Sequence, residues 1–139
     1  MSVGELIKKK GKDVITITSN ASYDDARAMM NEKHIGALMV VDGDAVQGIV
    51  TERDLLSKMG SATSVEKLMT PKANLTTLVH GDTLQTAMKI FTEKRIRHLP
   101  VMNGETLEGI VSIGDAVKTL LDQVELENKY LKEYIMGQD

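Results

Sequence analysis

The chain has no cysteine and is poor in aromatic residues, at 3% of 139 residues. Without cysteine there can be no disulfides, thiolate metal sites or cysteine nucleophiles, and the absence fits a reducing, cytoplasmic setting. So few aromatics leave no stacking platforms of the kind that grip single-stranded nucleic acid. The formal net charge of −3 points the same way, because nucleic-acid-binding domains are usually strongly basic. No apolar stretch approaches the length of a membrane span. The opening Met1-Ser2-Val3-Gly4-Glu5 has neither the basic start nor the apolar core of a signal peptide. Neither nucleic acid nor membrane is therefore expected as a partner. What remains, 42% hydrophobic and 27% charged, is the balance of a globular domain. Its nine methionines are expected to fill gaps between helices and sheet.

The strongest signal is internal repetition. Ile15–Met59 laid over Thr76–Leu120, a shift of about 61 residues, aligns without a gap. Thr16 falls on Thr77, Ala26 on Ala87, Ile35 on Ile96, Leu38 on Leu99 and Gly43 on Gly104. Gly48-Ile49-Val50 meets Gly109-Ile110-Val111, and Asp54 meets Asp115. With one residue of slippage, Ser2-Val3 and Leu6 also match Ser64-Val65 and Leu68. The chain is therefore divided into a first repeat, 1–60 with an N-terminal helix, and a second, 61–139 with a C-terminal helix. A copy of about 60 residues buries little surface alone, so the two are expected to form one integrated module.

Each copy reads as strand, helix, strand, strand, helix. Val14–Thr18 and Leu75–Val79 are short β-prone runs. Leu84, Ala87, Met88 and Phe91, echoed by Tyr23, Ala26 and Met30, have helical spacing. Asp82 with Gln85 suggests a capping box for the later of these helices. Gly36–Val41 and His98–Met102 are nearly all apolar, as expected of buried strands. Asp42-Gly43 and Asn103-Gly104 are hairpin-turn dipeptides. Gly60-Ser61-Ala62-Thr63 marks the joint between copies. Beyond Leu120 a helical pattern continues to Ile135. In it Val117, Leu121, Val124, Asn128, Leu131 and Ile135 alternate at spacings of four and three, a short heptad-like seam. The other reading of this helix is that it packs back on its own domain, with Tyr130 and Tyr134 at its edge.

Two recurring segments can carry chemistry: Gly48-Ile49-Val50-Thr51-Glu52-Arg53-Asp54 and Gly109-Ile110-Val111-Ser112-Ile113-Gly114-Asp115. In each, a hydroxyl follows a buried strand and a carboxylate comes three residues later, at a helix start. Free N–H groups and the hydroxyl there suit a phosphate. The carboxylate can accept from two vicinal ribose hydroxyls. The pattern Ser/Thr-x-x-acid is also a plain helix cap. Its recurrence at equivalent positions favours a nucleoside-phosphate site over a cap alone.

These segments, with Arg95-Ile96-Arg97-His98-Leu99-Pro100-Val101, resemble the CBS-domain pair, also called a Bateman module, in its small stand-alone form. The resemblance covers nearly the whole chain. It implies an α/β fold of tandem βαββα repeats packed with pseudo-two-fold symmetry, plus a C-terminal helical extension, with ligand clefts between the repeats. The ligands it implies are AMP, ADP, ATP or NAD(H), with or without Mg, or S-adenosylmethionine, and no cofactor is required. Carried over by position, Asp54 and Asp115 would hold ribose and Thr51 and Ser112 would reach phosphate. One cleft would join Thr51 and Asp54 to Thr70, Arg97 and His98. The other would join Ser112 and Asp115 to Gly36 and Ala37. Backbone groups near Ile15 and Thr76 would read the adenine edge. Because Arg97-His98 corresponds to Gly36-Ala37, only one pocket receives the cationic pair. With Arg53 it should suit a di- or triphosphate. Arg95 and Lys94 read as solvated surface residues, and His34 and His80 as loop or helix-end residues.

The expected function is thus a non-enzymatic regulator that binds an adenine nucleotide and works as a homodimer. Enzymatic readings lack support. The glycine pairs Gly43…Gly48 and Gly104…Gly109 are not followed by the Lys-Ser/Thr of a phosphate loop. Ser112 lacks a nucleophile elbow, since Ile110 stands where a glycine is needed. The three histidines have no metal-ligand spacing. The rival is a pure interaction or dimerisation module with empty clefts.

Overall fold

The computed structural model describes residues 1–11, 14–59 and 63–137; of the joint between repeats, Gly60, Ser61 and Ala62 lie outside the described residues. In chain order the elements are α1 (Val3–Lys10), β1 (Thr16–Ile17), α2 (Tyr23–Lys33), β2 (Ala37–Asp42), β3 (Ala45–Thr51) and α3 (Glu52–Ser57). Then follow α4 (Val65–Leu68), β4 (Thr70–Pro71), a 3-10 turn (Lys72–Asn74), α5 (Leu84–Lys94), β5 (His98–Asn103), β6 (Thr106–Ser112) and α6 (Ile113–Met136).

The first sheet runs β1-β2-β3-β4, with β1 parallel to β2 and the other pairs antiparallel. The second consists of the antiparallel hairpin β5-β6. The repeat persists even in irregularity, since both hairpins shift register at matching places, Val40/Val41 and Val101/Met102. The turns place Gly43 and Gly104 at φ near +60°, as hairpins this tight require.

Three cores explain the apolar runs. On β2, Leu38 and Val40 face the helices with Val50, Ala26 and Met30. Ala37 and Met39 point the other way, packing with Val46 and Ile49 of the same sheet and with Met102 of the facing one. With both faces covered, the strand reads as continuously hydrophobic. In the second unit Leu99, Val101 and Val111 pack with Leu84, Ala87 and Phe91 of α5.

The leading segments cross over. Helix α1, at the start of the first repeat, packs Val3, Leu6 and Ile7 into the core of the second unit. Helix α4, at the start of the second repeat, sends Val65 and Leu68 into the core of the first. Matching backbone bonds fix them. Val3 N donates to Asp82 O at 2.7 Å and Gly4 N to His80 O at 2.9 Å; Val65 N donates to Ala21 O at 2.8 Å and Glu66 N to Ser19 O at 3.0 Å. The repeats divide in sequence near residue 60, but the cores do not divide there.

Some local expectations change. Leu75–Val79 forms no ladder; only Leu78 bridges to Val101. The reason is Pro100. In the first unit Met39 N donates to Ile15 O at 3.4 Å, and Pro100, which corresponds to Met39, has no N–H for the equivalent bond to Thr76. Helix α5 is capped by Thr83, whose hydroxyl accepts from Thr86 N at 3.1 Å, one residue later than the Asp82/Gln85 pattern suggested. Asp82 instead accepts from Val79 N at 2.8 Å. The last helix of the repeat and the extension are one continuous α6, which does not fold back: Leu121, Tyr130, Leu131 and Tyr134 are exposed.

The repeated glycines of Gly-Ile-Val are sites of close approach. A Cβ at Gly48 would lie 2.2 Å from the Thr70 carbonyl oxygen, whereas at Gly109 it would meet only a side-chain methyl of Ile7, at 3.0 Å. We expect Gly48→Ala to cost about 2 kcal/mol of stability, as overpacking does, and Gly109→Ala clearly less. Denaturant unfolding of both variants checks this. Equal costs would contradict the packing described.

Candidate functional site

A cavity of about 460 Å³ opens between the units, a size typical of small-molecule sites. The end of β3 and the start of α3 supply Thr51, Glu52, Arg53 and Asp54. The crossing segment after α4 supplies Thr70, Asn74, Leu75 and Thr76. The second unit supplies Arg95, Arg97, His98 and Pro100. The six residues expected in the cationic cleft, Thr51, Arg53, Asp54, Thr70, Arg97 and His98, all line this one cavity.

Thr51 and Asp54 form a reciprocal cap. Thr51 N donates to Asp54 Oδ2 at 2.9 Å, and Asp54 N donates to Thr51 Oγ1 at 3.4 Å. Ser112 and Asp115 do likewise, with Ser112 N to Asp115 Oδ2 and Asp115 N to Ser112 Oγ both at 3.0 Å. So do Ser22 and Asp25, which lie outside this cavity. Capping alone therefore does not single out the recurring pairs. What sets Thr51 and Asp54 apart is the cationic cavity wall beside them.

That wall draws on both units. Arg53 reaches across so that Nη1 donates to the Arg95 carbonyl at 3.4 Å. Arg95, read from sequence as a surface residue, lines the cavity with Arg97. Its left-handed backbone, φ 54°, ends α5 as His34 ends α2 at the same φ. That repetition was available in the alignment, but its consequence for Arg95 needs the fold.

His98 is partly buried, and burial holds its imidazole below the ordinary histidine value. Lys10 adds to the effect, while Glu52 and Asp115 oppose it. Gly36, expected in the other cleft, lies here: a Cβ on it would come within 3.2 Å of the His98 ring. Ala37 pairs with Thr51 across the strands and buries its side chain between the sheets.

The two ends of the crossing segments differ. Thr76 lines the cavity, and no described hydrogen bond uses its carbonyl oxygen, because Pro100 cannot supply a donor. Ile15 O already accepts from Met39 N, and Ile15 lines a separate groove beside α2.

Asp115 is engaged within the chain. Lys10 Nζ, at the end of α1, lies 2.6 Å from Asp115 Oδ2 and donates to Ile110 O at 3.0 Å. Burial by itself would raise the Asp115 carboxyl, but Lys10 and the Ser112 N–H hold it below the usual carboxylate value. Nothing in the Lys8-Lys9-Lys10 run marks Lys10 for this place; the crossover of α1 puts it there. Among the described residues no group of three His, Asp or Glu side chains could hold a metal. No helix among them is long and apolar enough to cross a membrane.

Comparison with known proteins places this geometry. The CBS domain family matches residues 3–61 and again 65–122. The chain is 33% identical to the CBS domain-containing protein CBSX3, mitochondrial, of Arabidopsis thaliana, over 98% of this chain and 72% of that protein. The crystal structure of a CBS-domain-containing protein from Agrobacterium tumefaciens superposes with a TM-score of 0.78 at 40% identity, over 85% of this chain and 97% of that one. CBSX2, solved in complex with AMP, superposes with a TM-score of 0.76 at 26% identity, over 89% and 98%.

The depressed His98 pKa gives a pH prediction. Its unfolded value is near 6.5 and its folded value is lower. The unfolded chain therefore binds more protons below that point, and the native state loses stability as pH falls from 6.5 through the folded value. His98→Gln should remove this component. Thermal melts from pH 7.5 to 5.5 should show the wild type losing more stability than the variant. Parallel curves would contradict the assignment.

Proposed function

The chain belongs to the CBS-domain family, and we propose that it is a non-enzymatic regulatory module binding one adenine nucleotide in the cavity between its repeats. The observation that carries this reading is the convergence of Arg53, Arg95 and Arg97 beside Thr51 and Asp54 in one cavity. Guanidinium groups match phosphate oxygens in geometry and stay charged, so this end suits a di- or triphosphate better than a monophosphate. Asp54 would hold the ribose, with Thr51 and Thr70 beside it. Ile49, Leu75, Ile96 and Pro100 offer an apolar lining for a base. The Thr76 carbonyl is an acceptor suited to the exocyclic amine of adenine. Phosphate next to His98 would favour its protonated form, so binding should tighten as pH falls. These groups are suited to holding a charged ligand, which supports a sensor.

Occupancy of one cleft per chain follows from Lys10. To bring ribose to Asp115, a ligand must displace an ammonium already paired with it. A second site around Ser112 and Asp115 would then open only after α1 shifts. We place the module in the cytoplasm, as its lack of cysteine fits, and read the two repeats, 1–60 and 61–139, as acting together in a homodimer. The rival reading, an interaction module with empty clefts, is favoured by the capping role of both hydroxyl-acid pairs.

Calorimetric titration with ATP, ADP, AMP, NAD(H) and S-adenosylmethionine separates these readings. ADP or ATP should bind at one per chain and more tightly than S-adenosylmethionine. Arg97→Ala should weaken ATP about tenfold, equivalent to about 1.4 kcal/mol. Asp54→Ala should abolish binding, whereas Asp25→Ala, which removes a cap of the same kind, should lower stability by about 1 kcal/mol and leave binding intact. No heat with any ligand would support the empty-cleft reading.

Lys10 has its own test. Lys10→Ala should raise the ATP stoichiometry from one toward two per chain, and Asp115→Ala in that background should return it to one. An unchanged stoichiometry in Lys10→Ala would show that the ammonium is not what keeps the second cleft closed.

A further inference from the structure

We infer that α6 carries the seam of a parallel, in-register two-stranded coiled coil with a second copy of this chain. This deepens the homodimer reading by naming the surface and the orientation. Helix α6 is bound to its own domain only at its start, where Ala116 and Thr119 are buried and Leu120 packs against the second core. At 100° per residue, the row Val117, Leu121, Val124, Asn128, Leu131 and Ile135 lies about a quarter turn from that docked face. All six are exposed, the apolar five at 40–58%. A partner helix could therefore lie along the row without undocking α6, and two-fold symmetry would put the two domains on opposite sides of the helix pair.

Three features select a second copy over another occupant. The row is self-complementary, with Leu121, Asn128 and Ile135 at the a positions and Val117, Val124 and Leu131 at the d positions of a heptad. In a parallel, in-register pair Asn128 meets Asn128 and the two amides can bond to each other. In an antiparallel pair it would face a leucine or valine and lose its partner. The flanking charges agree: Glu127 at g faces Lys132 at e of the partner in the parallel register. A seam this short would be marginal for free peptides. Here the helix is already nucleated, because the Ser112–Asp115 cap and the buried first turns hold it in the domain. A second exposed row, Leu126, Tyr130 and Tyr134, continues the docked face and supplies the control.

Sedimentation equilibrium of the full chain, with circular dichroism to verify folding, tests the seam. The wild type should be a dimer, and Leu121→Asp with Leu131→Asp should be a folded monomer. Leu126→Ala with Tyr130→Ala should remain a dimer. Because the chain has no cysteine of its own, Ile135→Cys provides a unique thiol. It should form a covalent dimer on mild oxidation, since position 135 faces itself only when the helices are parallel. A double-aspartate variant that stays dimeric would overturn the seam while leaving a homodimer through other surfaces. A monomeric wild type would overturn both, and an Ile135→Cys dimer that fails to crosslink would overturn the parallel register. Should the aspartates unfold the chain, Glu127→Lys, weakening the dimer several-fold, with recovery in Glu127→Lys/Lys132→Glu, decides instead.

Discussion

The exchange of leading segments governs the arrangement of everything else. Val3 and Val65, equivalent in the repeat, are both completely buried, each in the core of the other repeat's unit. Neither unit closes its core with its own leading helix, so the two cannot separate without exposing both. This is how repeats of about 60 residues, too small to bury much alone, make one stable body. The same exchange carries Thr70 and Thr76 past the end of β3 and so builds one cavity wall. It also brings Lys10 to Asp115. The Gly48 contact with Thr70 marks where the crossing chain touches the strand beneath it.

Duplication gives two equivalent frames, and a few substitutions make them chemically different. Arg97-His98 against Gly36-Ala37 gives one cleft its cations. Pro100 against Met39 leaves the Thr76 carbonyl without the backbone donor that Ile15 has. Lys10 pairs with Asp115, the carboxylate equivalent to Asp54. The hairpins keep their pairing, Ala37 with Thr51 as His98 with Ser112, although Pro100 costs the second unit the parallel ladder of the first. Symmetry in the backbone and asymmetry in the polar groups are what a module needs if one cleft is to hold a ligand and the other to stay closed. His98 lines the cavity and feels the charges of Lys10 and Asp115 as well as that of Glu52.

Much of this is legible in the sequence because repetition fixes the frame. The buried character of β2, the hairpin glycines and the buried faces of α2 and α5 all follow from period and composition. The hydroxyl-acid pairs stand out because they recur. What the sequence hides depends on which segment crosses to which unit. Lys10 sits in a lysine run that reads as a solvated helix end, and Arg95 reads as surface until its backbone turns left-handed at the cavity rim. Gly36, expected beside Ser112 and Asp115, lies against His98 for the same reason: a periodic pattern gives the face of a strand but not what approaches it. The loss of the Leu75–Val79 ladder was predictable, since Pro100 removes a donor, yet only the pairing partner shows which bond is lost.

The central claim is that the arginine-lined cavity, and not its symmetry mate, receives the nucleotide. A crystal structure of the full chain at saturating ATP tests it most directly. The account predicts ribose at Asp54, phosphates among Arg53, Arg95 and Arg97, and Lys10 still on Asp115. Nucleotide bound at Asp115 with Lys10 displaced, or both clefts without it, would contradict the account.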